Sequence, residues 1–169
     1  METNMILSAS GWRKVFAISG NEQDKTAMIG EDNIAISIYS AAVFAEYIKN
    51  QSKKENPAVV VGMDARPTGP AISEAAVKTF IAKGINVKFV GITAAPEIMA
   101  YSKKADGFMY ISASHNPVGH NGIKFGLNTG GVLNGTENAK LTVEFNRLCA
   151  QDEAQKKAFE IIRNVKESD

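Results

Sequence analysis

Ser114, His115, Asn116 and Pro117 stand together in "ISASHNPVGHNGIKFG", Ile111 to Gly126, and Lys124 follows a little further on. A serine hydroxyl is a poor nucleophile unless its proton is removed or its target is strongly electrophilic. His115, next to it, can act as a base or acid near neutral pH. Asn116 offers an amide, and Pro117 stiffens the exit. Lys124 can neutralise an anion, and Gly119 and Gly122 permit close backbone approach. Ser-His-Asn-Pro is also good turn chemistry, so the residues alone leave a site and a structural turn both open.

The elements around this stretch give it a position. "AVVVGM", Ala58 to Met63, is a continuous apolar run that reads as a strand buried on both faces. "NVKFVGI", Asn86 to Ile92, reads as a second strand, "GFMYIS", Gly107 to Ser112, as a third and "IKFGL", Ile123 to Leu127, as a fourth. Helical spacing predicts a helix over 34–50, with Ile34, Ile38, Ala41, Ala45 and Ile48 on one face and Asp32 or Asn33 as its cap. Pro70 suits the first turn of a second helix, which Gly84 stops. Pro96 opens a short helix to about Lys104. Leu141, Phe145 and Leu148 mark another, and Ala154, Ala158, Ile161 and Val165 repeat the spacing in the tail. The segment Thr3–Glu31 carries no periodicity that places an element.

Alternating strands and helices predict an α/β fold: a three-layer α/β/α domain on a mostly parallel, mixed sheet of about four strands. Right-handed crossovers then gather "DARPTG", "TAAPE" and "ASHNP" at the carboxyl edge of the sheet, where ligands bind. Strand three would deliver Ser114 to that rim.

Composition narrows the classes. The 169 residues are 44% hydrophobic and 22% charged, as in a globular domain. A chain of this length buries about 70% of its unfolded surface. The 19 basic and 18 acidic residues leave a net charge of +1 and no basic run longer than two, so no nucleic-acid partner is expected. One cysteine, Cys149, gives neither an internal disulfide nor a zinc cluster. The first residues lack the pattern of a signal peptide, and no apolar stretch approaches the ~18 residues of a membrane span. A soluble, cytoplasmic protein with no membrane partner is the expectation.

"SASHNP" followed by "NGIKF" resembles the active-site serine loop of the phosphohexomutase superfamily, which includes phosphoglucomutase and phosphomannomutase. "SGWR", Ser10 to Arg13, resembles its amino-terminal arginine motif, and "VVVGMDARPTG" its strand and Asp-x-Arg turn. The likeness runs over about residues 7 to 150 and matches the first of the family's four domains. It implies a phosphoserine enzyme: the serine matching Ser114 gives its phosphoryl group to a hexose phosphate, forms a bisphosphate, and recovers the other phosphoryl group. A phosphoserine carries about −1.5 to −2 charges and calls for nearby cations.

On that resemblance Ser114 is the phosphoryl carrier and, through its phosphate, a magnesium ligand. His115 is an acid/base or a phosphate contact. Lys124 is a general base or a charge partner. Arg13 is a phosphate contact, or else a surface arginine beside Trp12. Asn116 is a substrate or phosphate contact and, with Asn121, shapes the loop; Asp64 and Arg66 support it through an ion pair, and His120 is solvated. The implied cofactors are Mg2+, mostly held by a domain absent here, and a hexose 1,6-bisphosphate activator. The implied partners are the hexose phosphate and the downstream domains of the same enzyme.

Leu7, Ser8 and Ala9 replace the aromatic residue, glycine and threonine usual before the arginine motif. The aspartates, Asp24, Asp32, Asp64, Asp106, Asp152 and Asp169, include no closely spaced pair for a metal loop. Residues 1–150 are therefore expected to form the serine-bearing domain, and 151–169 a helix and linker toward missing domains, as in a fragment of a larger mutase. Alone, the chain is expected to be inactive. A non-catalytic phosphosugar-binding module is the alternative. A hydrolase using Ser114 and His115 is a third reading, without a G-x-S-x-G elbow or an evident acid to orient the histidine.

Overall fold

Three adjacent valines need burial on both sides, and in the computed structural model, which describes residues 1–166, Val59, Val60 and Val61 have it: each is fully buried. They lie in β3 (Ala58–Met63). The other strands are β1 (Ile6–Ser8), β2 (Gly11–Val15), β4 (Asn86–Ile92), β5 (Gly107–Ile111) and β6 (His120–Leu127). The helices are α1 (Gly30–Ser52), α2 (Gly69–Ala82), α3 (Ala95–Tyr101), α4 (Gly135–Cys149) and α5 (Ala154–Ile162), with a 3₁₀ turn at Ser102–Lys104.

One six-stranded sheet has the order β1-β2-β6-β5-β3-β4. The α/β class and the three layers are as expected, but the sheet has two more strands and a smaller parallel share. β3 runs parallel to β4 and β5, whereas β5–β6, β6–β2 and β2–β1 are antiparallel. The cause is loop length. Residues 112–119 are too few for a parallel crossover, which takes a dozen or more, so β6 returns beside β5 as a hairpin. β2 then adds to β6, with Trp12 opposite Ile123 and Arg13 opposite Gly122.

The two faces are covered unequally. Trp12, Val59, Val61, Met109, Ile111, Ile123 and Phe125 point into the main core beneath α1, α2, α4 and α5. Trp12 meets Phe125 edge-on at 5.0 Å and Phe145 at 4.9 Å, and its indole N–H donates to Asn138 Oδ1 at 3.0 Å. On the other face, α3 covers only Val60, Phe108 and Tyr110 through Ile98.

α1 starts at Gly30 (φ +71°), four residues before the predicted face. Its cap position is Ile29, with no side-chain cap; Asp32 and Asn33 lie inside the helix. The acidic Glu31 and Asp32 there favour the positive end of the helix dipole instead. α1 is buried on more than one side because α2, α4 and α5 flank it. Within the segment expected as a helix and linker, residues 154–162 form α5, and Ala154 and Ala158 join the main core, which thus extends past residue 150. Tyr39 donates its hydroxyl to Ala154 O at 2.6 Å. Residues 167–169 of that segment lie outside the described residues.

Candidate active site

The loop 112–119 is held at both ends. Ser112 N–H donates to Gly122 O at 2.9 Å, and Asp64 N–H donates to Ile111 O at 2.9 Å. Between these points Ser114 adopts φ +57°, a left-handed conformation that costs an L-residue about 1–2 kcal/mol. The surroundings enforce it. Ser114 N–H donates to Ser112 Oγ at 3.2 Å, and Asn116 donates through both its backbone N–H (3.1 Å) and its side-chain amide (2.7 Å) to Ala113 O. The Ser114 side chain is exposed, at the rim where β3 and β5 end.

The principal clamp comes from the neighbouring loop. Asp64 Oδ1 accepts from Arg66 N–H at 3.0 Å, and its Oδ2 lies 3.3 Å from Arg66 Nε. The Arg66 side chain, only 11% exposed, then reaches under the serine loop. Its Nη1 donates to Pro117 O and, at 3.1 Å, to His120 O; its Nη2 donates to Ser114 O at 2.9 Å and Asn116 O at 2.6 Å. Hydrogen bonds to a charged group contribute about 1.5–3 kcal/mol each, so four on one guanidinium outweigh the strain at Ser114. Arg66 supports the loop through backbone carbonyls, with the Asp64 ion pair steadying Arg66 itself.

Two glycines are required by contact. A Cβ on Gly119 would lie 2.4 Å from Asn21 O, because Gly119 donates to Glu22 O at 2.7 Å and accepts from Phe16 and Ala17. A Cβ on Gly122 would lie 2.8 Å from Ser112 O and 2.9 Å from Arg13 Cγ. His120, expected to be solvated, is only 22% exposed and sets Nε2 3.4 Å from Glu22 Oε2. Asn121 is fully buried, donates to Thr68 Oγ1 at 3.0 Å and accepts from Gly122 N–H at 2.8 Å.

Arg13 and Lys124 lie on the open face of the sheet. Their neighbours Trp12, Ile123 and Phe125 point into the main core, so strand alternation turns Arg13, Gly122 and Lys124 the other way. Arg13 donates to Ser10 Oγ at 3.2 Å, and Lys124 Cγ packs 3.1 Å from where a Gly11 Cβ would stand. Neither forms an ion pair with a described residue. One backbone row links them to the serine loop: Ser112 bonds Gly122, and Gly122 faces Arg13.

The structure therefore brings Ser114, Asn116, Asp64 and Arg66 to one open pocket of about 370 Å³, which Val118 also lines. Arg13 and Lys124 stand outside it, and so does His115, which is exposed and has no hydrogen-bond partner among the described residues. No acid among the described residues orients His115, so they do not assemble the Ser-His-acid relay of a hydrolase. Beneath the pocket, burial and the nearby Asp64 charge push the Tyr110 phenol above its ordinary pKa; its hydroxyl donates to Thr93 O at 2.9 Å. Ser112 and Thr68 give no sequence signal of their support role, whereas Asn121 was expected to shape the loop.

An exposed hydroxyl on a rigid rim suits an anionic group; Arg13 and Lys124, without an acidic partner among the described residues, stand outside its pocket. A divalent metal is another matter. Among the described residues no three His, Cys, Asp or Glu side chains converge, so these side chains do not make a magnesium cage. No described helix is long and apolar enough to cross a membrane.

Comparison with known proteins agrees with this geometry. Residues 9–151 match the model of the "Phosphoglucomutase/phosphomannomutase, alpha/beta/alpha domain I" family. Phosphoglucosamine mutase of Streptococcus sanguinis (strain SK36) is 37% identical over 101 residues, which are 57% of this chain and 22% of that protein. The same enzyme of Lactococcus lactis subsp. cremoris (strain MG1363) is 36% identical over 102 residues, again 57% of this chain and 22% of that protein. This chain thus spans about a fifth of the length of these relatives. The proposed phosphomannomutase of Thermus thermophilus superposes with a TM-score of 0.68 at 22% identity, over 86% of this chain and 30% of that one. A phosphoglucomutase/phosphomannomutase family protein of Burkholderia thailandensis gives 0.63 at 24% identity, over 87% and 31%. At these identities the superpositions speak for the fold.

Proposed function

The chain belongs to the phosphoglucomutase/phosphomannomutase family through its alpha/beta/alpha domain I, and from that premise we propose that Ser114 carries a phosphoryl group between positions 1 and 6 of a hexose phosphate. The Ser114 Oγ–P bond breaks as a sugar hydroxyl oxygen bonds the phosphorus and loses its proton. Lys124 is the base for that proton or the charge partner of the transferring group. The resulting bisphosphate turns over in the site, and its other phosphoryl group passes to Ser114 Oγ. Arg13, His115 and Asn116 contact phosphate oxygens, while Asp64 and Arg66 support the loop. Phosphoryl transfer rests mostly on positioning and charge neutralisation, and the clamped loop supports the positioning part of this reading. Magnesium, with the Ser114 phosphate as one ligand, and a hexose 1,6-bisphosphate as phosphoryl donor belong to the same proposal. The phosphoglucosamine mutases among the relatives add amino-sugar phosphates to the candidate substrates.

The observation that carries this reading is Ser114 itself, exposed, left-handed and clamped at the end of a buried strand. Its test is intact mass. Incubation with a hexose 1,6-bisphosphate and magnesium should add one phosphoryl group, absent from the Ser114→Ala variant. Uptake at another residue, or covalent capture of Ser114 by a fluorophosphonate probe, would overturn it. Tight sugar-phosphate binding with no uptake would favour the binding module. Steady mutase turnover is expected to require the further domains that the relatives' greater length implies, so the 169-residue chain alone should show none in a coupled assay.

A further inference from the structure

We infer that Arg66 is the positioning residue of the serine loop, turning the His115 and Val118 amide N–H groups outward so that the His115 N–H donates to an oxygen of the group on Ser114. The inference rests on Ser114 as the phosphoryl carrier, but its geometric part stands without that. In a trans peptide the C=O and the following N–H point in opposite directions, and no cis peptide bond occurs among the described residues. The Ser114 and Pro117 carbonyls are drawn onto the Arg66 guanidinium. The N–H groups of the same two peptide planes, those of His115 and Val118, must therefore point away from it.

Neither N–H has an acceptor among the described residues, whereas four neighbouring amides are engaged: Ser114 bonds Ser112 Oγ, Asn116 bonds Ala113 O, Gly119 bonds Glu22 O and His120 bonds Pro117 O. The Asn116 carbonyl also goes to Arg66, and the next residue, Pro117, has no N–H to present. The side of the loop facing Arg66 thus holds the carbonyl oxygens, and the opposite side keeps two free donors. The His115 N–H belongs to the peptide directly after the residue that would bear the anion. Outward backbone amides in a turn with a left-handed residue are a recognised form of anion receptor. Arg66 cannot itself serve as that receptor, since its terminal nitrogens are committed to carbonyls.

A lysine at 66 would keep the charge but cannot hold four carbonyls in one plane. The test uses the full chain with phosphoserine placed at 114 by direct genetic incorporation, so that it does not depend on catalysis. In ¹H–¹⁵N spectra the His115 amide of the phosphorylated chain should move downfield of its position in the unphosphorylated one. In Arg66→Lys that displacement should be lost, and the Asn116, Gly119 and His120 amides should exchange roughly 100-fold faster, about what one charged hydrogen bond is worth. Amides of α4 should keep their protection, showing the fold intact. An unmoved His115 amide in the phosphorylated wild type, or the same displacement and protection in Arg66→Lys, would overturn the inference. If the lysine variant does not fold, the wild-type comparison still decides it. Failure of Ser114 to take phosphate from a hexose bisphosphate would instead strike the carrier reading and leave these spectra untouched.

Discussion

At the scale of single residues, Ser114 is held in a conformation its Cβ disfavours. Replacing it separates the hydroxyl from the strain. Ser114→Gly and Ser114→Ala both lose the hydroxyl, but only glycine relaxes φ +57°. The glycine variant should be more stable than the alanine variant by about 1 kcal/mol, measured by urea melts, and neither should take up phosphate. Equal stabilities would show that the loop does not impose the angle. The same scale shows how far residue types can be read. Ser114, His115, Asn116 and Lys124 stood out because their chemistry is in their side chains. Support of the loop by the Asp64–Arg66 pair was expected, but the grip of Arg66 on four carbonyls was not, because it acts on groups that every residue carries. No sequence pattern says which of them a guanidinium will meet.

Among elements, β3 depends on a charged anchor at its start. Asp106 Oδ2 accepts from Ala58 N–H at 2.8 Å and Oδ1 lies 2.7 Å from Lys54 Nζ. Burial works to raise this carboxyl, but the Lys54 ammonium and the Ala58 N–H outweigh it and hold it below the ordinary carboxylate range. A depressed folded pKa gives stability that is fully present above the unfolded value, about 3.9, and lost as pH falls through the folded one. Asp106→Asn should therefore cost about 1–3 kcal/mol at neutral pH. The gap should close as acid protonates the wild-type carboxyl, in melts run from pH 7 downward. A gap independent of pH would assign the loss to packing instead. β3 was legible because its run of valines fits a buried strand, β4 because Val and Phe alternate with polar residues, and β5 because it is an apolar run. β1 and β2 were not: three and five residues are too short to show a period, and their place depends on β6, far along the chain. The antiparallel return of β6 was legible in principle from loop length, since residues 112–119 leave no room for a crossover.

Across the whole molecule, the first residue is tied to the end of α4. The Met1 ammonium donates to Cys149 O at 2.7 Å, where α4 finishes and its dipole favours positive charge. Cys149 is 4% exposed, and burial pushes its thiol up to about 11 against a weaker opposing pull from the amino-terminal charge. Only roughly a thousandth of it is thiolate at pH 8. The native chain should resist iodoacetamide, and label readily in urea; fast labelling without denaturant would show that α4 opens locally.

The strand order has a temporal consequence. β1 and β2 are made first, yet their only route into the sheet is through β6, which begins at residue 120. Until then Arg13 has no platform, and Trp12, the sole tryptophan, lacks Phe125 and Phe145. Closing so long a stretch is slow compared with forming local helices. On refolding, tryptophan fluorescence should lag behind helical circular dichroism, and the arginine end of the rim should be the last part to mature.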